Sequence, residues 1–278
     1  VSILLGQGTC PSVPPGPITL PITARDLGSL GTGTPSEPHA INDLWQVVGS
    51  SKTDTGETHA FIWDPITEMR DLGTLGGSES VAWDINDLGR VVGESRTATG
   101  ETRAFLWDSI AGMQDLGTLG GMNSSAQAIN ELDQVAGWSE MSGGETHAFL
   151  WDPDAGILDL GTLGGGVSRA FGIDDSGQVV GSSTIATGEV HAFLWEPVSG
   201  MGDLGTLGGT SSGAWEINAA GHVVGASFTP LGEQHAFLWK PNQAMQDLGV
   251  LTEGAESHAS AINDVGQVVG SSAGRAFV

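Results

Sequence analysis

One tripeptide, Asp-Leu-Gly, returns along this chain at a nearly fixed interval, and that repetition constrains the fold more than any other feature. It begins at Asp26, Asp71, Asp115, Asp159, Asp203 and Asp247, in steps of 45, 44, 44, 44 and 44 residues. Two further markers keep the same phase. One is a tryptophan at Trp63, Trp107, Trp151, Trp195 and Trp239; the other is an isoleucine followed by Asn or Asp at Ile41, Ile85, Ile129, Ile173, Ile217 and Ile262. Self-similarity at such a period marks an array of like supersecondary units, each burying its apolar surface against the next.

Each unit reads as four short strands. In the second unit, residues 80–86, 90–95, 102–107 and 113–119 are the expected strands. They are separated by Asp87-Leu88-Gly89, a Thr/Gly-rich loop and a turn led by Asp108. The 44 glycines of the 278 residues suit many tight turns and close backbone approaches. No window carries the i, i+3, i+4, i+7 spacing of an amphipathic helix, so an all-β chain is expected. A four-stranded unit of about 40–50 residues is the blade of a β-propeller, with a linear solenoid as its competitor. Residues 18–30 read as a fourth strand without three before it, and Arg275–Val278 as a third strand without a fourth after it. The expectation is a six-bladed β-propeller over 18–278, its last blade closed by strand 18–30, preceded by a Pro-rich arm over 1–17. Closure would remove exposed strand edges.

Alternation along the third strand puts His59, Phe61 and Trp63 on one side and Ala60 and Ile62 on the other. Face-to-face stacking of blades would bury both sides. The glycine of each second strand (Gly49, Gly93, Gly137, Gly181, Gly225 and Gly270) reads as a close-packing position.

These residues resemble the HAF-repeat family of predicted extracellular bacterial proteins. The triplet His-Ala-Phe stands at His59, His147, His191 and His235, with Arg103 and Arg275 replacing His in two units. The wider pattern HAFLWD…DLGTLGG…AxxINxxGxVVG covers the chain from about residue 18 to its end. The resemblance implies secretion and a propeller-like repeat fold, and it brings no established reaction or ligand.

With 33 acidic against 9 basic residues and a net charge of −24, the chain lacks the basic footprint of a nucleic-acid or anionic-membrane binder. No apolar run approaches the roughly 20 residues of a membrane helix. Cys10 is the single cysteine, free or available to a second chain, so no intramolecular disulfide is expected.

Candidate chemistry divides into what repeats and what breaks the repeat. His59, His147, His191 and His235 cannot converge on one ion from equivalent strands, and Arg does not ligate metals, so no metal site is expected there. They read as structural donors to an acid, either Glu57 or the aspartates Asp71, Asp115, Asp159 and Asp203. Glu57, Glu101, Glu145, Glu189 and Glu233 recur in loops, where they form either solvated acids or a carboxylate ring attracting Ca²⁺. No Gly-x-Ser-x-Gly elbow supports a nucleophilic triad. Asp84 and Glu216 share one first-strand position in units two and five, so they could face each other across a six-fold ring as a hydrolytic pair. Trp45, where the other units have Gly or Asp, and Trp138, where they have Ser, Ala or Glu, are the candidate binding residues. Trp83 and Trp215 occupy a variable first-strand position and read as core.

The leading expectation is a non-enzymatic extracellular propeller serving surface structure or self-assembly, a filament subunit linked through its N-terminal arm, with no cofactor. The alternative is a glycan-binding propeller, and the third reading is a secreted hydrolase or lyase.

Overall fold

The computed structural model describes residues 24–278, all of it strand, turn and loop. The arm 1–17, Cys10 and residues 18–23 of the expected closing strand lie outside the described residues. Each repeat folds into one antiparallel sheet. In the second, the strands are Gly76–Ile85, Val91–Thr97, Thr102–Asp108 and Gly112–Asp115, each hydrogen-bonded to the next. The first strand starts earlier than the turn signals suggest, and the fourth stops at Asp115, short of the expected 119. It stops because Gly117 turns the chain with a φ of 82°, which an L side chain rarely tolerates. Blades 1 to 5 cover 36–71, 76–115, 120–159, 164–205 and 212–249, and each has four strands. The last, 257–277, has three among the described residues.

The blades stack through both faces. In the first junction, Val48, Ala60, Ile62 and Leu72 of blade 1 meet Ala82, Ile85, Val91, Phe105 and Trp107 of blade 2. Strand alternation assigns these two sets to opposite sides of every sheet. The second-strand glycine is where this packing is tightest within a blade: a Cβ on Gly137 would overlap the carbonyl oxygen of Ser125.

Buried serines stitch the apolar faces together. The Ser124 hydroxyl, fully buried, donates to the Gly117 carbonyl (2.7 Å) in the link from the preceding blade and accepts the Ala104 N–H (2.9 Å) of that blade's third strand. Ser80, Ser168, Ser212 and Ser257 accept the corresponding alanine N–H at 2.8 Å. Each satisfies backbone groups left over where two sheets meet with at most a single parallel bridge between their strands, as at Thr58–Glu79 and Thr146–Val167.

Among the described residues the stack is not joined end to end. Ile41 of blade 1 is 44% exposed and Val269 of blade 6 is 45% exposed, whereas Ile85 and Val92 at the same positions in blade 2 are 6% and 0% exposed. Leu27 and Leu30 partly cover the open face of blade 1, beside Val47, Phe61 and Trp63. They repeat the roles of Leu72 and Leu75 in the next junction. The Ser36 hydroxyl donates to the Gly28 carbonyl (2.7 Å), as Ser80 does to Gly73 (2.6 Å).

Ser124→Ala strands the buried Ala104 N–H. Chemical denaturation should show a loss of about 1–3 kcal/mol with an unchanged m-value; a loss within error of zero would remove the serine stitch from the account of stability.

Candidate functional site

Every first strand carries one bulge at the same place. The register slips around His39, Trp83, Gln127, Phe171, Trp215 and Ser260, where two residues oppose one on the partner strand. A bulge re-aims the extra side chain, and this position varies while its surroundings repeat. First strands of consecutive blades lie against one another, and two neighbouring pairs of bulged residues meet. His39 stacks on Trp83 with centroids 4.5 Å apart, and its Nδ1 lies 2.7 Å from the Ala82 carbonyl. Phe171 and Trp215 meet at 5.0 Å with a tilt of 59°. The indole N–H of Trp83 is buried without a protein partner.

The residue after the bulge is small in four blades: Ala40, Ala128, Gly172 and Ala261. In blades 2 and 5 it is Asp84 and Glu216. The Asp84 carboxylate accepts the N–H of Ile85 (2.8 Å) and that of Ile129 in the next blade (2.9 Å). Burial nevertheless outweighs these bonds and, with the charge of Glu131 adding, pushes its carboxyl up to about 6. Glu216 is pushed up to about 7, first by burial and then by the charge of Asp84, while the Ile217 N–H opposes at 3.3 Å. Blades 2 and 5 are three steps apart.

No family model matches the chain, and no curated protein does. Solved structures do match. The β-propeller domain of the Trilobed protease from Pyrococcus furiosus, described as having an open velcro topology, is 11% identical. It superposes with a TM-score of 0.59 over 86% of this chain and 79% of that one. A putative TolB from Agrobacterium tumefaciens is 13% identical, with a TM-score of 0.53 over 77% of this chain and 80% of that one. TolB from Acinetobacter baumannii is 13% identical with a TM-score of 0.52; the match covers 77% of this chain and 56% of that protein, so the chain accounts for little more than half of its length. The fold is a β-propeller. At these identities the likeness speaks to the fold alone. A propeller sets its blades around a central channel, and the bulged side chains, Asp84 and Glu216 stand on the first strands, which lie against one another from blade to blade.

The other sequence candidates fall elsewhere on the propeller. His59, His147, His191 and His235 place Nδ1 at 2.8, 2.9, 2.8 and 2.9 Å from Asp71, Asp159, Asp203 and Asp247. These pairs join the third and fourth strands of one blade, with Glu57 more distant from His59 at 3.9 Å. Asp115, whose blade has Arg103 in place of His, accepts the Gly117 N–H at 2.8 Å. Glu57, Glu101, Glu145, Glu189 and Glu233 each close their own hairpin, and no group of three His, Cys, Asp or Glu suited to a metal gathers among the described residues. Glu101 is drawn down to about 2 by the hydroxyls of Thr97 and Thr99. Trp45 is exposed at a hairpin tip with a left-handed φ of 65°, where Gly89, Gly177, Gly221 and Gly266 carry the same conformation. Trp138 is half-buried beneath the guanidinium of Arg169, 5.2 Å from its ring. The bulge ring itself has a signal in the sequence, a variable residue two positions before the recurring Ile in every unit, but only the bulge shows where it points.

Raised carboxyls give the site a pH signature. The folded state holds the Glu216 proton more tightly than the unfolded chain does, so stability is fully present below about pH 4 and declines as pH rises toward 7. Glu216→Gln should therefore stabilise the protein by about 1–3 kcal/mol at pH 8 and leave it unchanged at pH 4. A melting-temperature difference independent of pH would contradict the burial of this carboxyl.

Proposed function

We propose that this chain is a non-enzymatic, six-bladed binding propeller that holds a saccharide in its axial site. The asymmetric bulge ring carries the reading. Trp83, Trp215, Phe171 and His39 offer aromatic faces to the C–H face of a sugar ring. Asp84, Glu216 and Gln127 offer a few convergent polar groups for its hydroxyls, the mixture expected of a small-ligand site. Carboxyls held near neutrality can accept from a hydroxyl when ionised and donate to one when protonated. The repeated His, Asp, Ser and Gly, by contrast, are absorbed by the architecture.

In this reading the segment that precedes blade 1 completes the sixth blade, although its described part, 24–30, is loop and not the strand expected over 18–30. The docking of Leu27, Leu30 and Gly28 on blade 1 supports it, as does the strand Arg275–Phe277, which has no partner on its outer edge among the described residues. An extracellular setting rests on the HAF-repeat resemblance. Self-assembly is the same strand addition made between copies, the N-terminal strand of one chain completing the last blade of another.

A hydrolytic reading has one observation in its favour, the pair of raised carboxyls on opposite blades, since an acid and a base flanking a glycosidic bond is how such bonds are cleaved. Three measurements separate the readings. A glycan array should show binding by the wild type that Trp215→Ala abolishes; a blank wild-type array would sink the saccharide reading. Incubation of a bound glycan should release no new reducing ends, and release that Glu216→Gln stops would make the protein a glycosidase. Light scattering after size exclusion should give the monomer mass, whereas a ladder of multiples would place the closing strand in a neighbouring copy.

A further inference from the structure

The junctions between blades repeat one hydrogen bond that fails at a single internal place. The Asn42 side-chain amide donates to the Asn86 carbonyl (2.9 Å), Asn86 to Asn130 (3.1 Å), Asn130 to Asp174 (3.0 Å), and Asn218 to Asn263 (2.9 Å). Blade 4 carries Asp174 instead, which has no amide to give. Its carboxylate accepts the N–H of Ser176 and of Gln178 within its own hairpin. At this junction with blade 5 lies a groove of about 410 Å³, lined among others by Asp174, Gln178, Glu196, Leu194, Trp239 and Asn242.

Two repeats earlier, equivalent positions build the junction of blades 2 and 3, and there the protein fills the space itself. Arg90 stands where Gln178 stands. Its Nε is 2.9 Å from Asp133, and its Nη1 is 3.4 Å from Asp108, the counterpart of Glu196. In the junction between these two, Gln134 donates to Asp152 at 3.1 Å. In the blade 4–5 groove neither pairing is made. Glu196 accepts from the Ser199 hydroxyl at 2.6 Å, and no Lys or Arg pairs with it or with Asp174 among the described residues.

The tryptophan tells the same story independently. Guanidinium groups cover its equivalents at two positions: Arg25 lies 4.6 Å over Trp63 and Arg70 lies 5.0 Å over Trp107. For Trp239 the covering position is Gly202, which supplies no side chain. Trp63 and Trp107 are 6% and 4% exposed, while Trp239 is only half-buried.

We propose that the groove between blades 4 and 5 binds the guanidinium side chain of an arginine presented by a protein or peptide partner. The partner supplies from outside the cation that Arg90, Arg25 and Arg70 supply from within. Arginine suits the groove better than lysine, because a planar guanidinium can stack on the indole of Trp239 while its N–H fork reaches the carboxylate of Glu196. The net charge of −24 favours encounter with a basic partner. This inference does not depend on what occupies the axis.

The probe is N-acetyl-arginine methylamide, titrated while the indole ¹⁵N–¹H resonance of Trp239, assigned with Trp239→Phe, is followed by NMR. A saturable shift is expected, weakened at least tenfold by Gln178→Arg, which would restore the internal cation. Glu196→Gln should weaken it similarly and decides the matter if Gln178→Arg does not fold. Ile66→Arg, at a position 91% exposed in blade 1, makes the same change in net charge and should leave the affinity unaltered. An unmoved Trp239 resonance would overturn the proposal. So would equal binding by wild type and Glu196→Gln, or a shift produced by glucose and not by the arginine probe.

Discussion

Each sheet of this protein is apolar on both faces, and everything else in the structure follows from the need to cover both. The side bearing Phe105 and Trp107 must meet the side bearing Ala60, Ile62 and Leu72 of the blade before it. The same two sets recur in each later junction. A single four-stranded unit would expose both of these faces to water, so the units are stable only as neighbours, and stability resides in the junctions. Sheets that meet face to face leave backbone groups at their edges with no strand to pair with. The buried serines satisfy those groups, which makes them as much a part of the junction as the aromatic residues.

Repetition of one junction also explains why so much polar chemistry here is structural. A His–Asp pair that returns in four blades holds each third strand to its fourth and has no reason to be an active site. Function needs asymmetry, and the structure concentrates it at two places. The bulge ring varies from blade to blade and carries the two half-buried carboxyls of Asp84 and Glu216. The blade 4–5 junction departs from its equivalents through Asp174, Gln178 and Gly202 together, each a loss of a donor, cation or cover present elsewhere.

Much of this was legible in the sequence. The period, the four strands per unit, the two-sided burial of the third strand and the tight glycine of the second all follow from local patterning, which is where sequence speaks most directly. The possibility that Asp84 and Glu216 face one another came from counting repeats. Other features were not legible. The serines attract no notice because an isolated Ser in a strand has no signature; its value lies in two backbone groups of a different blade. Trp83 and Trp215 read as core residues because nothing local announces that a bulge turns them toward the axis. Trp138 reads as an exposed anchor until Arg169, one blade away, is seen to lie over it.

The sequence by itself determined the repeating all-β unit, its turns and the two apolar faces, since these depend on residues within a few positions of one another and on a fixed period. Only the tertiary structure decided which residues share a site. Asp84 and Glu216 stand at one position of two blades three steps apart, a relation that exists only because the sheets stack in order, and the lining of the blade 4–5 groove is legible only beside the junction that Arg90 fills. Both are relations between distant segments, set by how blades pack, and no local pattern encodes them.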